Sequence, residues 1–545
     1  MRSFFLGITL FFFFSACKKT EIPAPPSLLI SINQSEVTLA KDQFFLARLE
    51  VKLENLPAGE SDEIKWTTEN PRIATVTNEG LVYPQGAGVT YITATLVSGK
   101  GSVSCKVTIT DGNDYKFRLT LKDKGTSSYS IGNPSAFLSA KAIARRQKFN
   151  IEIDETDLPI SPGYLNEIQK VGCKIVAKSK WLNQVTVHCS DEFLVDKYLA
   201  LPFVKEARMV WMGKRLVTVP SPYVDVPQQG NNKINGPIDY GGALVNITPN
   251  NGSVLHEKGF KGAGIDIAVI DAGFINLKQN PALQNINIKG AKSFIYEISD
   301  PYTLDNHGVW VTSCMAGNQP GKYVGTAPEA SYWLLHTEDS PTEQPIEEDY
   351  WANAVEFADS AGVDIVNSSL SYSFYNRPED SYKFTDMDGK TAVASRAANL
   401  AAKKGLVIVN CAGNDQTWVG TPADSPYVLT LGSINKNFVD DAFTSFGITV
   451  DGRMKPDVMA KGGSASVIGI IGTIETRSGT SYASPIMCGL IACLWQAYPK
   501  LNNMELMEIV RKSADKANNP VVPYGYGVPD MQKAMNLAKA ALAGR

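Results

Sequence analysis

The chain has 545 residues, which is too long for one ordinary domain and predicts about three. Hydrophobic residues make up 44% of it and charged residues 20%, which is the balance of a globular protein. The formal net charge of −3 argues against a broad nucleic-acid-binding surface, so no nucleic-acid partner is expected.

The N-terminus has the pattern of an export signal. Arg2 is followed by an apolar stretch, Phe4–Phe14, which is too short to span a bilayer. Two small residues then precede Cys17, and this arrangement resembles the lipobox of bacterial lipoproteins. The resemblance implies a signal peptide over residues 1–16 and a lipid on Cys17, which would anchor the protein in the bacterial cell envelope, facing the periplasm or the cell surface. The alternative is a plain secretory signal in which the cysteine has no role.

The other cysteines indicate neither a disulfide framework nor a zinc site. They are scattered, odd in number and without a C-x-x-C pair, so most are expected to be small buried residues. The seven are Cys105, Cys173, Cys189, Cys314, Cys411, Cys488 and Cys493.

After a short polar linker, residues 17–26, the pattern over residues 27–111 is all-β. Apolar and polar residues alternate in "LLISINQSEVTLA", and two strands flank a glycine turn in "GVTYITATLVSGKGSVSCKVTIT". The intervening "IKWTTENPRIATVTNEGLVYPQGAG" resembles the bacterial Ig-like domains of the Big family. Such domains are usually spacers or adhesive modules, and nothing in this segment has a catalytic pattern.

Residues 114–214 have a mixed pattern that predicts a small α+β module. "YKFRLTLKD" and "QVTVHCS" alternate like strands, whereas "SAKAIARRQKF" and "SDEFLVDKYLAL" have helical spacing. The module resembles the chaperone-like propeptides of subtilisin-type proteases. A second structural spacer is the competing interpretation.

Residues 215–237 are rich in Pro, Gly, Asn and Gln and are predicted to be a linker. Within it, the stretch 217–237 is an accessible place for proteolytic cleavage. From residue 238 to the end, apolar strands such as "IDIAVI", "VDIVNSS" and "LVIVNCAG" alternate with helices. This alternation predicts a doubly wound α/β domain with a parallel sheet, in which ligands bind beyond the carboxyl ends of the strands.

Polar residues stand at several of these strand ends and helix starts. Asp271 ends the strand "IAVID", His307 lies in "DNHGVWVTS", and Ser481 opens a predicted helix in "SGTSYASP". Acyl transfer needs a nucleophile, a base and an acid that orients the base. Asn414 closes "NCAGN" after another strand, where its amide and the backbone N–H of Ser481 could hold an oxyanion.

The C-terminal domain resembles the subtilisin-like serine proteases, the subtilases. The motifs that carry the resemblance occur in the family's order: "AVIDAG", "NHGVWV", "VGTAPEA", "NSSLS", "NCAGND", "FTSFG", "KPDVMAKG" and "SGTSYASP". The resemblance implies that Asp271, His307 and Ser481 form a catalytic triad and that Asn414 belongs to the oxyanion hole. It also implies that Ser369, Leu370 and Ser371 form the backbone strand that pairs with substrate and walls the pocket for the residue before the scissile bond.

The sequence departs from the family pattern in two places. Val309 and Trp310 replace a Thr and a second His that often follow the catalytic His-Gly, and Ser371 replaces a glycine in the wall of the substrate pocket. The second His is not part of the triad, so we expect activity to be kept. The Ser371 side chain is expected to narrow or polarise the pocket.

The predicted function is therefore a secreted, lipid-anchored serine endopeptidase that acts on proteins or peptides. The competing hypothesis is a surface adhesion or binding protein that keeps the scaffold without activity. A further hypothesis is self-cleavage within residues 217–237, which would release the protease from its lipid anchor. A monomer is expected, and no metal ligand is assigned, although many subtilases bind structural calcium and "DMDGK" faintly resembles a calcium loop.

The remaining histidines are poorer candidates for a catalytic base. His188 lies outside the α/β domain, and His256 lies in a predicted helix near the start of that domain. His336 lies within an apolar strand and is expected to be buried with its hydrogen bonds satisfied.

Overall fold

The structure is a computed structural model. It describes residues 27–41, 47–57, 59–110, 114–189, 192–213, 238–302, 304–339 and 342–545. The predicted signal peptide, Cys17 and both predicted linkers, residues 17–26 and 215–237, lie outside the described residues. Among the described residues, no helix combines the length and hydrophobicity needed to cross a membrane.

The N-terminal domain is a small β-sandwich. A four-stranded sheet in the order β2-β9-β8-β5 lies with a three-stranded sheet, β3-β7-β6, and a β1-β4 pair. The strands are β1 Leu29–Ile32, β2 Glu36–Ala40, β3 Ala47–Arg48, β4 Val51–Glu54, β5 Ile64–Thr68, β6 Ala74–Val76, β7 Leu81–Pro84, β8 Gly88–Leu96 and β9 Ser102–Thr110. Alternate residues of β8, from Thr90 to Leu96, are buried, which is the pattern of a strand with one face on a core.

The next segment is an α+β module with one antiparallel sheet in the order β11-β12-β10-β13. Its elements are β10 Asp114–Leu121, α1 Ala140–Lys148, α2 Pro162–Lys170, β11 Lys174–Ser179, β12 Gln184–Cys189, α3 Leu194–Leu199 and β13 Val204–Gly213. Ser139 and Ser161 cap the two longer helices, since each side-chain oxygen accepts a hydrogen bond from a backbone N–H of the first turn.

The C-terminal domain is built on a seven-stranded parallel sheet in the order β15-β18-β14-β19-β20-β21-β24. Its helices are α4 Leu244–Ile247, α5 Ser253–Glu257, α6 His307–Ala316, α7 Ile346–Ala361, α8 Val393–Lys403, α9 Thr480–Ala497, α10 Asn503–Ser513 and α11 Met531–Ala543. Its strands are β14 Asp266–Asp271, β15 Asn287–Ser293, β16 Asn318–Gln319, β17 Tyr323–Val324, β18 Ser331–His336, β19 Ile365–Ser368, β20 Val407–Cys411, β21 Val428–Ile434, β22 Gly447–Ile448, β23 Met454–Lys455, β24 Val458–Lys461, β25 Ala465–Ile468 and β26 Ile474–Arg477.

The sheet is covered on both faces, as the sequence predicts. One hydrophobic core packs α6, α9, α10 and α11 against one face, and a second packs α7 and α8 against the other. The second core also contains six residues of the α+β module, which are Val176, Ala177, Trp181, Leu182, Val210 and Trp211. The module is therefore packed onto the α/β domain rather than set beside it as a spacer.

Candidate active site

The polar residues singled out in the sequence meet at the carboxyl edge of the parallel sheet. Asp271 ends the interior strand β14, Ser369 follows β19 directly, and Asn414 lies three residues after β20. His307 and Ser481 come from the first turns of α6 and α9. Because parallel strands end at one edge, residues far apart in sequence come together there.

Asp271 and His307 form a hydrogen-bonded pair. The Asp271 side chain is fully buried, and its Oδ1 lies 2.7 Å from Nδ1 of His307. The same oxygen accepts the backbone N–H of Ala272 at 2.8 Å. The carboxylate therefore fixes the imidazole with Nδ1 as a donor, which leaves Nε2 as the basic nitrogen.

The electrostatics of His307 follow from this pair. Burial alone would lower the pKa of the imidazole, but the charge and hydrogen bond of Asp271, with the charges of Asp305 and Glu338, raise the pKa of His307 to about 9. The side chain is still 26% exposed, so a molecule in the cavity can reach it.

Two glycines explain how closely these elements approach. Gly308 follows the histidine, and a Cβ there would collide with the carbonyl oxygen of Gly273 and the ring of Phe274. Gly273 has a φ of +145°, and a Cβ on it would collide with the carbonyl of Leu304. The glycines after Asp271 and His307 are thus steric requirements of the pair.

Ser481 lies at the start of α9 and is held there by a reciprocal contact with Ser369. Pro485 lies inside α9 and has no N–H to donate to the carbonyl four residues earlier, which is that of Ser481. Ser369 Oγ donates to this carbonyl instead, at 2.8 Å. Ser481 Oγ in turn donates to the carbonyl of Ser369 at 3.4 Å, so in this structure its hydrogen bond is to the backbone rather than to His307.

Asn414 is oriented by the residue before Ser481. Its Oδ1 accepts hydrogen bonds from the backbone N–H of Thr480 at 2.9 Å and from the Thr480 hydroxyl at 3.0 Å. Because both bonds use the carbonyl end of the amide, the NH₂ group faces away from Thr480 and remains a donor. Asn414 is exposed to the cavity solvent, and Ser481 is mostly buried.

One cavity of about 480 Å³ is lined by His307, Asn414 and Ser481 together with the segment Ser369–Ser371. Ser371 Oγ is buried and without a hydrogen-bond partner among the described residues. It lies against the backbone of Gly413 and Gly420, where any side chain would meet it. The serine side chain therefore packs into the cavity wall, and its effect on the substrate pocket stays a prediction.

Trp310, which stands where the family often has a second His, also lines the cavity. The guanidinium carbon of Arg477 lies 4.1 Å from the centre of its ring, a cation–π contact that holds the indole at the cavity rim. The cavity that contains His307 is therefore lined in part by the indole ring of Trp310.

The sequence interpretation missed the acidic residues of this cavity. Five acidic residues line it beside His307, Asn414, Ser481 and the segment Ser369–Ser371: Asp305, Glu338, Glu343, Glu347 and Asp415. A signal was available, because "TEDSPTEQPIEED" is a dense acidic run that begins at the carboxyl end of a strand.

Two of the other histidines, His256 and His336, are buried and hydrogen-bonded, and for His336 this was predicted. His336 is fully buried, with Nδ1 bonded to the Ser293 hydroxyl and Nε2 to the carbonyl of Glu338. His256 is bonded to the Tyr240 hydroxyl and to the carbonyl of Thr326. The seven cysteines of the described chain are free, and six of them are buried.

No calcium ligands emerge around "DMDGK". The Asp388 carboxylate accepts the backbone N–H groups of Lys390 and Thr391 and so closes a turn. Across the described residues, no group of three or more His, Cys, Asp or Glu has the arrangement of a metal site.

Comparison with known families matches three successive parts of the chain. Residues 262–528 match the Subtilase family, peptidase S8. Residues 116–222 match the peptidase S8 propeptide domain of Bacteroidota, and residues 29–107 match the group 2 bacterial Ig-like domain. The propeptide match decides between the two interpretations of the α+β module in favour of the propeptide.

Individual proteins give the same result. Subtilisin NAT of Bacillus subtilis subsp. natto is 27% identical over 287 residues, which are 51% of this chain and 68% of that protein. Serine protease AprX of Bacillus subtilis (strain 168) is 28% identical over 289 residues, covering 47% of this chain and 62% of that protein. The crystal structure of the epidermin leader peptide processing serine protease (EpiP) from Staphylococcus aureus superposes with a TM-score of 0.54 at 17% identity. That match covers 78% of this chain and 98% of the other, and it shows a shared fold.

Proposed function

We propose that this serine endopeptidase, which carries a subtilase-family domain behind an S8 propeptide domain and a bacterial Ig-like domain, cleaves peptide bonds through Asp271, His307 and Ser481. The observation that supports this assignment most strongly is the 2.7 Å Asp271–His307 hydrogen bond in the cavity that Ser481 also lines. A buried carboxylate bonded to an imidazole beside a serine hydroxyl is the arrangement that makes serine nucleophilic.

In the proposed reaction, Ser481 Oγ leaves its long contact with the Ser369 carbonyl and turns to His307 when substrate binds. His307 Nε2 takes the hydroxyl proton as Oγ attacks the peptide carbonyl, and Asp271 stabilises the imidazolium that forms. His307 then gives the proton to the leaving amine, which breaks the peptide bond and leaves an acyl-enzyme. Water, deprotonated by His307, releases the acyl group and restores Ser481.

The negative charge of the tetrahedral intermediate requires donors in fixed positions. We assign these to the Asn414 side-chain amide and the Ser481 backbone N–H at the start of α9. The loss of one such side-chain donor in subtilisin lowers turnover by about a hundredfold to a thousandfold, and we expect Asn414→Ala to fall in that range.

Labelling with a fluorophosphonate, which reacts with activated serines, tests the nucleophile. The protein from Lys18 to Arg545 should be labelled, and Ser481→Ala should not. Ser478→Ala is the matched control, because its hydroxyl accepts the backbone N–H of Ser464 and has no proposed role. Unimpaired peptide cleavage by Ser481→Ala would contradict the assignment, and absence of labelling in folded, fully processed protein would favour the non-catalytic binding protein.

We further propose that the protein is a lipoprotein of the bacterial cell envelope, anchored through Cys17 and cut within residues 217–237. The lipobox-like pattern supports the anchor, and the position of the linker between propeptide and protease domains supports the cut. Incorporation of labelled palmitate should be lost in Cys17→Ser. An active enzyme that stays full length throughout would contradict the cleavage.

A further inference from the structure

Two cysteines of the propeptide module, Cys173 and Cys189, lie at the same end of a pair of antiparallel strands. Cys173 directly precedes β11, and Cys189 is the last residue of β12. Both are thiols in this structure. Residues 174–188 separate them in the sequence, so no short motif such as C-x-x-C marks the two as a pair.

The register of β11 and β12 places the two cysteines opposite one another. Lys174, the first residue of β11, lies opposite His188. The same pairing continued by one residue brings Cys173 opposite Cys189, and the register shift of this strand pair lies further along β11, on the other side of Lys174. Directly opposite residues of antiparallel strands have Cα atoms about 4.5–5.5 Å apart, which falls within the range of about 4.4–6.8 Å that a disulfide spans.

The two side chains also belong to the same face of the sheet. Because successive residues of a strand alternate between its faces, Cys173 shares a face with Ile175, and Cys189 shares a face with Val187. Ile175 and Val187 lie opposite each other, and all four residues belong to the hydrophobic core of the module or pack against it. Both thiols are therefore on the core side of the sheet.

A buried tyrosine, Tyr198 of α3, lies beside both thiols. Its side chain belongs to the same core and is fully buried. Burial raises the pKa of the Tyr198 hydroxyl, and its interactions with Cys173 and then Cys189 raise it further. Burial also raises the pKa of the Cys173 thiol, the contact with Tyr198 opposes this, and the charge of Cys189 adds to it. These mutual effects agree with the strand register in placing the two sulfur atoms close together.

Burial limits when the two thiols can react. Cys189 is 5% exposed, and Cys173 is only partly exposed and donates its S–H to the carbonyl of Ile168 at 3.3 Å. The thiolate is the form that attacks a disulfide, so buried thiols that stay protonated react slowly in the folded module. A bridge between them would therefore form while the module folds.

We propose that Cys173 and Cys189 are a disulfide site of the propeptide module, closed during folding by exchange with an oxidant that carries a disulfide. This inference concerns the propeptide module and does not depend on whether the protease domain is active. It agrees with the proposed location in the cell envelope, because disulfides persist in the bacterial periplasm and at cell surfaces. The bridge closes the loop 174–188, which restricts the unfolded module and so stabilises the folded one.

The exchange is balanced in atoms and electrons. The thiolate of one cysteine attacks the disulfide of the oxidant, which forms a mixed disulfide and releases one thiol. The thiolate of the other cysteine then attacks the mixed disulfide, which forms the Cys173–Cys189 bond and releases the second thiol. The two cysteines lose two electrons and two protons, and the two sulfur atoms of the oxidant gain them.

Peptide mapping without reduction detects the bridge directly. The protein from Lys18 to Arg545 carrying Ser481→Ala is refolded from urea with reduced and oxidised glutathione, blocked with iodoacetamide in urea and digested with trypsin. We expect the peptide Val171–Lys174 joined to the peptide Trp181–Lys197, with a mass two hydrogens below their sum. Reduction should separate the two, and Cys105 of the Ig-like domain should be recovered in its alkylated form.

The bridge should also slow proteolysis of the module. We expect thermolysin to degrade the module about tenfold or more slowly in the oxidised protein than in the reduced one, followed on a gel, because closing a loop of this length disfavours the unfolded state. Cys173→Ala and Cys189→Ala should each abolish the difference. Cys105→Ala is the matched control, because it removes a buried cysteine from the core of another domain, and it should keep the difference.

Three outcomes would overturn the proposal. The first is absence of the linked peptide from protein refolded under oxidising conditions, and the second is a bridge from either cysteine to a third one. The third is equal proteolysis of the oxidised and reduced proteins, which would overturn the stabilising role of the bridge. The oxidised and reduced forms share one sequence, so their comparison remains decisive even if Cys173→Ala or Cys189→Ala fails to fold.

Discussion

The Ig-like domain and the propeptide module both precede the protease domain, but they relate to it in different ways. The Ig-like domain has its own core, built around residues such as Leu49, Val82 and Ile92. The propeptide module also has a core of its own, and it contributes in addition to the core that covers one face of the protease sheet. The core of the Ig-like domain therefore contains residues of that domain only, whereas the propeptide module also completes the packing of its neighbour.

The polar contacts show the same difference. Arg145 and Arg146 of α1 both reach Asp359 of α7, and all three side chains are buried. Arg118 of β10 forms a two-pronged contact with Asp349 at 2.6 and 3.0 Å. Buried charges of this kind are tolerated only with their partners in place, so the propeptide contact is specific as well as apolar.

The largest expected effect comes from removing the propeptide module. Deletion of residues 114–213 would expose part of α7 to water, including the fully buried Tyr350, whose hydroxyl accepts a hydrogen bond from Lys116 of the module. We expect little or no soluble, fluorophosphonate-reactive protein, measured by gel filtration and labelling of the secreted fraction. Normal yields of active enzyme from this deletion would show that the protease domain folds without the module and that the contact is dispensable.

Removing a single buried charge from the contact between the propeptide module and the protease domain should also destabilise the protein, but less than deleting the module. Asp359→Asn leaves Arg145 and Arg146 buried without their shared carboxylate, which should lower the free energy of unfolding by about 3–5 kcal/mol. Urea denaturation of unprocessed protein carrying Ser481→Ala measures this loss.

The matched control is Arg208→Gln, which removes an ion pair with Asp380 from the same interface. The Arg208 side chain is 43% exposed, so its loss should change stability by about 1 kcal/mol or less. Equal effects of the two substitutions would contradict the role given to burial.

The propeptide contact should also depend on pH through Glu356 of α7. Burial raises the pKa of Glu356 to about 7, although hydrogen bonds from Ser179 and Trp181 and the charge of Lys180 oppose the shift. Because the folded pKa exceeds the unfolded one, the native state holds the extra proton between them. Stability should therefore fall by up to about 3 kcal/mol as pH rises from about 4 through 7.

Glu356→Gln cannot titrate and should flatten that part of the pH profile, again measured by urea denaturation of the unprocessed Ser481→Ala protein. If the free energy of unfolding varies with pH in the same way with and without Glu356, other groups cause the pH dependence.

The smallest effect is expected from removing the Ig-like domain. The hydrogen bond of Asn33 with Arg48 and the ion pair of Lys100 with Glu60 lie within the domain, as does its hydrophobic core. Deletion of residues 27–111 should leave kcat/KM unchanged within about twofold and the melting temperature of the remainder unchanged, because this core is separate from the cores of the protease domain. A marked loss of activity would contradict this and show that the Ig-like domain supports the protease domain.

Much of the proposed site could be predicted from the sequence because its signals are local. Asp271, His307, Ser481 and Asn414 each end a strand or begin a helix, and parallel strands bring such ends to one edge. The glutamates that line the cavity, Glu338, Glu343 and Glu347, and the reciprocal Ser369–Ser481 contact could not be predicted in this way. They depend on the order of the strands in the sheet, which no local pattern records.

The sequence by itself determined the order of the domains and the alternation of strands and helices that builds the protease sheet. It also determined the burial of His336 and the residues proposed for catalysis. These follow from periodicity and from motifs a few residues long. Only the tertiary structure decided that the propeptide completes the protease core and that three glutamates line the same cavity as Ser481. Arg118 and Asp349 are 231 residues apart, and no local pattern records a contact over that distance. Such pairs form because a charge that is buried without a partner of opposite sign costs a large free energy of desolvation.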